Sequence, residues 1–190
     1  MTDERIRGFI AVDMDEASVI SRLVEAQRAL RDLGADLKLV EPENIHATVR
    51  FLGEVPAATI ELVKEQMNEI KFNPFDAEFV GLGAFPNLRR VNVVWVGMRK
   101  GHQEISRIFD QLEPRLRQIG FAPDSKGFSP HVTIARVKTG RKREELAKFV
   151  DDMRETPFGV IHVEEVRLKR SVLTPKGPVY STIHAVRGSG

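Results

Sequence analysis

A four-residue pattern occurs twice in this chain, 85 residues apart, and it restricts the possible folds more than any other feature. Residues 46–49 and residues 131–134 each read histidine, any residue, threonine and an apolar residue. With eight threonines in 190 residues and 42% hydrophobic residues, each histidine has about a 2% chance of starting the pattern. Two copies among five histidines are then expected in about three of a thousand such sequences. The repeat therefore predicts two similar strands that serve one site.

Each copy of the pattern places its two polar side chains together if it forms a strand. Residues i and i+2 of a strand point to the same face, so His46 projects with Thr48, and His131 with Thr133. The apolar residues between and beside them are expected to face the core: Ile45, Ala47, Val49, Phe51, Val132 and Ile134. If a cleft brings the two strands together, two imidazoles and two hydroxyls line it.

That set of groups is suited to attack on a phosphodiester. Imidazole titrates near pH 6.5, so one histidine can act as base and the other as acid, while the hydroxyls donate hydrogen bonds to phosphate oxygens. A zinc site is the main alternative, but no carboxylate neighbours either motif and HExxH is absent, so we expect no metal. We also expect no cofactor, because the chain has neither a Walker sequence nor a complete dinucleotide-binding glycine motif.

Apolar periodicity predicts an α+β protein with antiparallel sheet, because pairs of strands occur between helices. Strands are predicted over 6–12, 45–52, 79–84, 91–97, 130–137, 160–173 and 179–186, and helices over 15–33, 56–70, 102–119 and 141–153. Asp15 is expected to cap the first helix. Pro114 is expected to kink or break the third helix.

Composition places the chain among soluble proteins of one domain. It has no cysteine, which excludes disulfides, a thiolate nucleophile and thiolate-bound metals. No apolar run reaches 18 residues and the charged start does not read as a signal peptide, so we expect a cytoplasmic protein away from membranes. The net charge is only +2, yet residues 136–143 carry five basic residues and no acid, which is typical of a solvated face or a phosphate-binding segment.

Several segments, in order along nearly the whole chain, resemble one family. It is the two-histidine (2H) phosphoesterases, in particular the RNA 2′,3′-cyclic phosphodiesterases historically called 2′-5′ RNA ligases. The matching segments are 7–11, 42–54, 81–87, 94–96, 130–136 and 171–180. The resemblance implies a bilobal, pseudo-twofold fold, with two antiparallel sheets facing a central cleft and helices outside. Residues 1–190 would then form one domain of two intertwined lobes, each supplying one motif.

The resemblance also implies a reaction. Terminal 2′,3′-cyclic phosphates of RNA, for example on tRNA fragments, would be opened to 2′-phosphomonoesters without a metal and without an obligate protein partner. His131 would be the base that activates water and His46 the acid that protonates the departing O3′, although the repeat itself is symmetric about this assignment. Thr48 and Thr133 would hold the phosphate.

Three further residues are expected in substrate binding by the same resemblance or by position. Arg136 would add a phosphate contact, but strict alternation puts it opposite His131, so it needs a bulge, a twist or the strand end. Phe9 would stack a base if its face lines the cleft, and is otherwise a core residue. Tyr180 at the cleft edge would likewise either stack a base or pack in the core. Trp95 is expected in the core.

Two other functions use the same residues. The first is 2′-5′ ligation of a cyclic phosphate end to a 5′-hydroxyl, which needs the same acid and base. The second is an RNA- or nucleotide-binding module without catalysis. Two matched titratable groups argue against the binding module, since binding alone does not need them.

Overall fold

The computed structural model describes residues 4–189, and its elements confirm the α+β class. The helices are α1 (Ala17–Asp32), α2 (Ala57–Asn68), α3 (His102–Gln118) and α4 (Arg143–Asp152). The strands are β1 (Arg5–Asp13), β2 (Leu37–Leu39), β3 (His46–Pro56), β4 (Phe75–Asn87), β5 (Arg90–Met98), β6 (His131–Val137), β7 (Pro157–Val163), β8 (Glu165–Thr174) and β9 (Gly177–Arg187). The predicted strands around both motifs are present.

The strands form two lobes joined at the centre of one antiparallel sheet. The order is β7-β4-β5-β6-β3-β1-β8-β9, with the short β2 pairing with β6. The first lobe (β1, β3, β8, β9) carries His46 and the second (β2, β4, β5, β6, β7) carries His131. The pair Ala47↔Val132 joins β3 to β6 between the lobes. The two expected sheets are therefore continuous through their middle.

The predicted strand over 160–173 is wrong as a single element, because it is two strands that belong to different lobes. β7 pairs with β4 and β8 pairs with β1, although only Glu164 separates them in sequence. One residue spans less than about 8 Å between its neighbours' Cα atoms. The two ends of the strand order must therefore come close, so the sheet is curled, and the last hairpin returns the chain to the first lobe.

The four helices pack on one face of this sheet and the motif side chains project from the other. Apolar stripes on the helices pack against the inward-facing residues of the sheet. Leu23 of α1 and Ile105 of α3 are two members of these stripes, and both are fully buried. The buried residues of both lobes form one continuous cluster. Burial of each large aliphatic side chain contributes about 1.5–3 kcal/mol, which anchors the strands that carry the site.

Three local expectations are corrected. Glu16, not Asp15, caps α1, since its carboxylate accepts a hydrogen bond from the Ser18 amide at 3.4 Å. α3 continues through Pro114, which lies on the solvent face, so the Asp110 carbonyl that loses its partner can bond to water. Phe51 does not face the core as expected and is 65% exposed. The β1–β3 register moves from Ala11↔Thr48 to Ile10↔Arg50, so Val49 is an extra β3 residue that forms a bulge and reverses the alternation before Phe51.

An ion pair beneath the cleft ties β3 to α3 and to the loop that precedes β6. Arg50 Nε donates to Glu113 Oε2 at 2.8 Å, and its Nη2 donates to the Ala122 carbonyl at 2.6 Å. The other Glu113 oxygen accepts from the Asp124 amide at 2.8 Å. The two side chains are only 11% and 17% exposed. This network links the strand of one motif to the approach of the other.

We expect Glu113→Ala to lower the free energy of unfolding by about 3 kcal/mol, because it leaves a largely buried guanidinium without its counter-charge. Urea unfolding followed by circular dichroism measures this. Glu155→Ala is the matched control, since its ion pair with Arg99 is 58% and 75% exposed and should contribute less than about 1 kcal/mol. Equal losses in the two variants would contradict a structural role for the buried pair.

Candidate active site

The pairing at the centre of the sheet brings the two motifs together. Because Ala47 is opposite Val132 in an antiparallel pair, His46 falls opposite Thr133 and Thr48 opposite His131. Ala47 and Val132 are fully buried, so the four polar side chains project to the other face. In a regular sheet directly opposed Cβ atoms are about 4.5–5.5 Å apart and diagonal ones about 7–8 Å. The motifs thus form one pseudo-symmetric group.

Each histidine is oriented by the same backbone contact. Nδ1 of His46 donates to the Asn44 carbonyl at 2.7 Å, and Nδ1 of His131 donates to the Ser129 carbonyl at 2.7 Å. A carbonyl can only accept, so Nδ1 carries the proton in the neutral ring. Nε2 is therefore the nitrogen available for proton transfer in both histidines.

His46 lies in the more enclosed half of the site. Its Nε2 accepts a hydrogen bond from the Thr48 hydroxyl at 2.8 Å, and its ring packs against Phe9 and Tyr180 with centroids 4.7 and 5.5 Å away. Burial lowers the pKa of His46 below its ordinary value, and the nearby His131 contributes in the same direction. The free protein therefore holds His46 largely neutral at pH 7.

An ionic cluster beside His46 was not predicted from the sequence. Asp13, opposite His46 in the β1–β3 register, accepts hydrogen bonds from Lys169 and Arg167, each at 2.7 Å. Burial alone would raise the pKa of Asp13, but these hydrogen bonds hold it below its ordinary value. Asp13 and Lys169 are 156 residues apart, so no local pattern could have identified the cluster.

Two aromatic residues border His131. The Phe85 ring meets it edge-on at 4.9 Å, and the Trp95 ring lies 6.1 Å away. Trp95, expected in the core, is opposite Thr133 and only partly buried. A Cβ on Gly83 would overlap the indole, so a glycine is required there to keep Trp95 beside the site. Alternation along β5 predicts Trp95 on the motif face only when the pairing of β5 with β6 is known, and the sequence does not reveal that pairing.

A bulge in β6 places Arg136 on the same face as His131. The β5–β6 register moves from Trp95↔Thr133 to Val94↔Ala135, which leaves Ile134 as the extra residue. Ile134 and Ala135 are both fully buried, so the alternation reverses and Arg136 is exposed on the motif side. Its positive charge acts to lower the pKa of the Tyr180 phenol in the other lobe.

Phe9 and Tyr180 differ in what they can contact. Phe9 is 4% exposed, because His46, Tyr180 and Phe51 cover its ring, so its base-stacking role is not available and it instead supports His46. Tyr180 is half-buried, which raises the pKa of its phenol. Phe51, 6.3 Å from Phe9, is the aromatic residue with the larger open surface at this end of the cleft.

Among residues 4–189, no three histidine, cysteine, aspartate or glutamate side chains are grouped to hold a metal ion. No helix in the same range has the length and apolar character needed to cross a membrane. The paired imidazoles, hydroxyls and Arg136 together can bind a phosphate and move protons on either side of it.

A curled antiparallel sheet with a histidine–threonine pair from each lobe defines the class of two-histidine phosphoesterases. The family described as LigT like Phosphoesterase matches residues 13–95 and again residues 96–180, one motif in each match. The chain belongs to this family and is an enzyme.

Related proteins extend over nearly the whole chain. The RNA 2′,3′-cyclic phosphodiesterase of Aeropyrum pernix is 39% identical over 171 residues, which are 90% of this chain and 97% of that protein. The protein of the same name from Archaeoglobus fulgidus is 39% identical over 178 residues, 94% of this chain and 98% of that protein.

Two crystal structures are similar in fold. TT0787 of Thermus thermophilus has a TM-score of 0.82 at 28% identity, covering 97% of this chain and all of that one. Escherichia coli LigT complexed with 3′-AMP has a TM-score of 0.78 at 22% identity, covering 98% of this chain and all of that one. At 22% identity the second likeness concerns the fold alone.

Proposed function

We propose that this enzyme hydrolyses 2′,3′-cyclic phosphate ends of RNA to 2′-phosphomonoesters, using His46 and His131 and no metal. The observation that carries the proposal is the pairing of Ala47 with Val132, which gathers two oriented imidazoles and two hydroxyls on one face. The names of the 39% identical relatives support the substrate. The function needs both lobes of residues 1–190 as one unit, since each supplies one histidine.

In the proposed reaction, Nε2 of His131 takes a proton from water, and the water oxygen attacks phosphorus. The P–O3′ bond breaks and Nε2–H of His46 gives its proton to O3′, which leaves a 2′-phosphomonoester. Each Nδ1 keeps its backbone carbonyl, so neither ring needs to turn. The lowered pKa of His46 makes its protonated form a stronger acid, and the bound phosphate anion favours that protonated form.

The remaining site residues would hold the substrate. Thr48 and Thr133 donate to non-bridging oxygens, with the Thr48 hydroxyl moving from Nε2 of His46 to the phosphate. Arg136 adds a charge-assisted contact from the cleft face. Tyr180 limits the nucleoside side of the cleft, and Phe9 fixes the His46 ring from below.

The test is an RNA of about ten nucleotides ending in a 2′,3′-cyclic phosphate, incubated with the enzyme and EDTA. We expect full conversion to a 2′-phosphate, identified against 2′- and 3′-phosphate standards by chromatography. Activity lost in EDTA and restored by a divalent cation would overturn the metal-free mechanism, and a 3′-phosphate product would overturn the roles given to the leaving group. A joined product on adding a 5′-hydroxyl RNA would instead support ligation.

A further inference from the structure

A basic pocket lies where β6 ends, close to the start of α4. Its volume is about 230 Å³, and the residues that line it include Arg90, Lys138, Arg141 and Arg143. Asn92 and Thr139 add polar groups, and no acidic residue lines it. We call these four cations the basic pocket residues. Three of them come from the basic segment over 136–143, and the active-site chemistry uses none of the four.

The charges of the basic pocket are not neutralised within the protein. None of its four cations forms an ion pair with a carboxylate among residues 4–189, whereas Lys142 of the same segment pairs with Glu145 at 3.0 Å. Grouped like charges repel one another and destabilise the folded chain, yet they attract a polyanion and raise its association rate. The pocket therefore has the charge of a surface that binds phosphates.

The pocket and the cleft are connected along one strand. β6 carries His131 and Thr133 in the cleft, then Arg136 on the same face, and Val137 and Lys138 at the pocket. Six residue-to-residue steps along β6 lead from His131 to Val137, which is about 20 Å. A stacked nucleic-acid strand rises about 3.4 Å per nucleotide, so about six nucleotides cover that length.

We propose that the basic pocket binds backbone phosphates of single-stranded RNA upstream of the cyclic end held in the cleft. This inference rests on the proposed function and specifies its substrate as an RNA strand rather than a free cyclic nucleotide. Arg136 lies on the motif face one residue before Val137, so the RNA strand runs along β6 from the histidines past Arg136 and over the end of β6 to the pocket beside α4. A cyclic mononucleotide fills the cleft and cannot reach the pocket.

The double variant Arg141→Ala/Arg143→Ala tests the pocket by fluorescence anisotropy with a labelled, unstructured 12-nucleotide RNA that has a plain 3′-hydroxyl. Each phosphate contact to a single strand contributes about 0.7 to the slope of log K against log salt, so the slope should become less steep by about 1.4. Binding at 0.1 M salt is then expected to weaken about 25-fold. Turnover of 2′,3′-cyclic AMP should stay within about twofold of wild type.

Arg22→Ala/Arg28→Ala is the matched control, since it removes two exposed cations of α1 that form no ion pair among the described residues. It should leave RNA binding within about twofold of wild type. Unchanged binding in the pocket variant, or the same loss in the control, would overturn the inference. An equal loss with cyclic AMP would do so too, because the residues would then act through the cleft. If wild type binds RNA through the pocket but opens no cyclic phosphate, the proposed function fails and the RNA site stands.

Discussion

His131→Ala is expected to lower kcat on a cyclic-phosphate RNA by about 10²–10⁴-fold, the usual contribution of a positioned general base. The structure supports this role through the 2.7 Å bond from Nδ1 to the Ser129 carbonyl, which leaves Nε2 as the nitrogen free to accept a proton. RNA affinity should change little, because the hydroxyls, Arg136 and the basic pocket remain. Single-turnover rates and anisotropy measure the two quantities separately.

The matched control for this loss is His102→Ala, an exposed histidine at the start of α3. It should keep the turnover of wild type, which separates the loss of one particular imidazole from the loss of any histidine. Equal losses of turnover and binding in His131→Ala would contradict a catalytic base. They would favour the RNA-binding module without catalysis.

His46→Ala is expected to cause a loss of similar size on the natural substrate, but a much smaller one when sulfur replaces O3′ in the cyclic phosphate. An alkoxide needs a proton as the P–O bond breaks, whereas a thiol has a pKa of about 8.5 and leaves readily as a thiolate. We therefore expect the defect of His46→Ala to fall to about tenfold or less with the sulfur substrate. The defect of His131→Ala should persist, since water still needs a base.

This pair of substrates separates acid from base, which the symmetric motifs do not. Rescue of His131→Ala by sulfur, with no rescue of His46→Ala, would reverse the two roles. Persistence of both defects would show that neither histidine protonates the leaving group. The lowered pKa of His46 agrees with either direction of proton transfer, so the chemical substitution is the decisive measurement.

Several features of the fold could be predicted because they depend on neighbours in sequence. Alternation along one strand is enough to put His46 with Thr48 and His131 with Thr133 on common faces. The apolar periods of the helices are local in the same way, and they predicted the α+β class. Pairs of strands separated by a helix do not reveal which strands will be neighbours in space.

Bulges, and the passage of the chain from one lobe to the other, could not be predicted, since they are properties of a strand and its partner together. The bulge at Ile134 exists only in the β5–β6 register, and it decides that Arg136 shares the face of His131. The bulge between β1 and β3 likewise exposes Phe51. The division at Glu164 depends on β7 and β8 having partners in different lobes.

By itself the sequence determined the groups that the candidate site offers: two histidine–threonine pairs on strands, with an apolar residue after each pair to anchor it. Those groups follow from residue type and from the period of two along an extended chain. The tertiary structure alone decided where the groups meet and what surrounds them. Ala47 meets Val132 across 85 residues, and Asp13 meets Lys169 across 156, because core burial curls the sheet and brings these distant strands together.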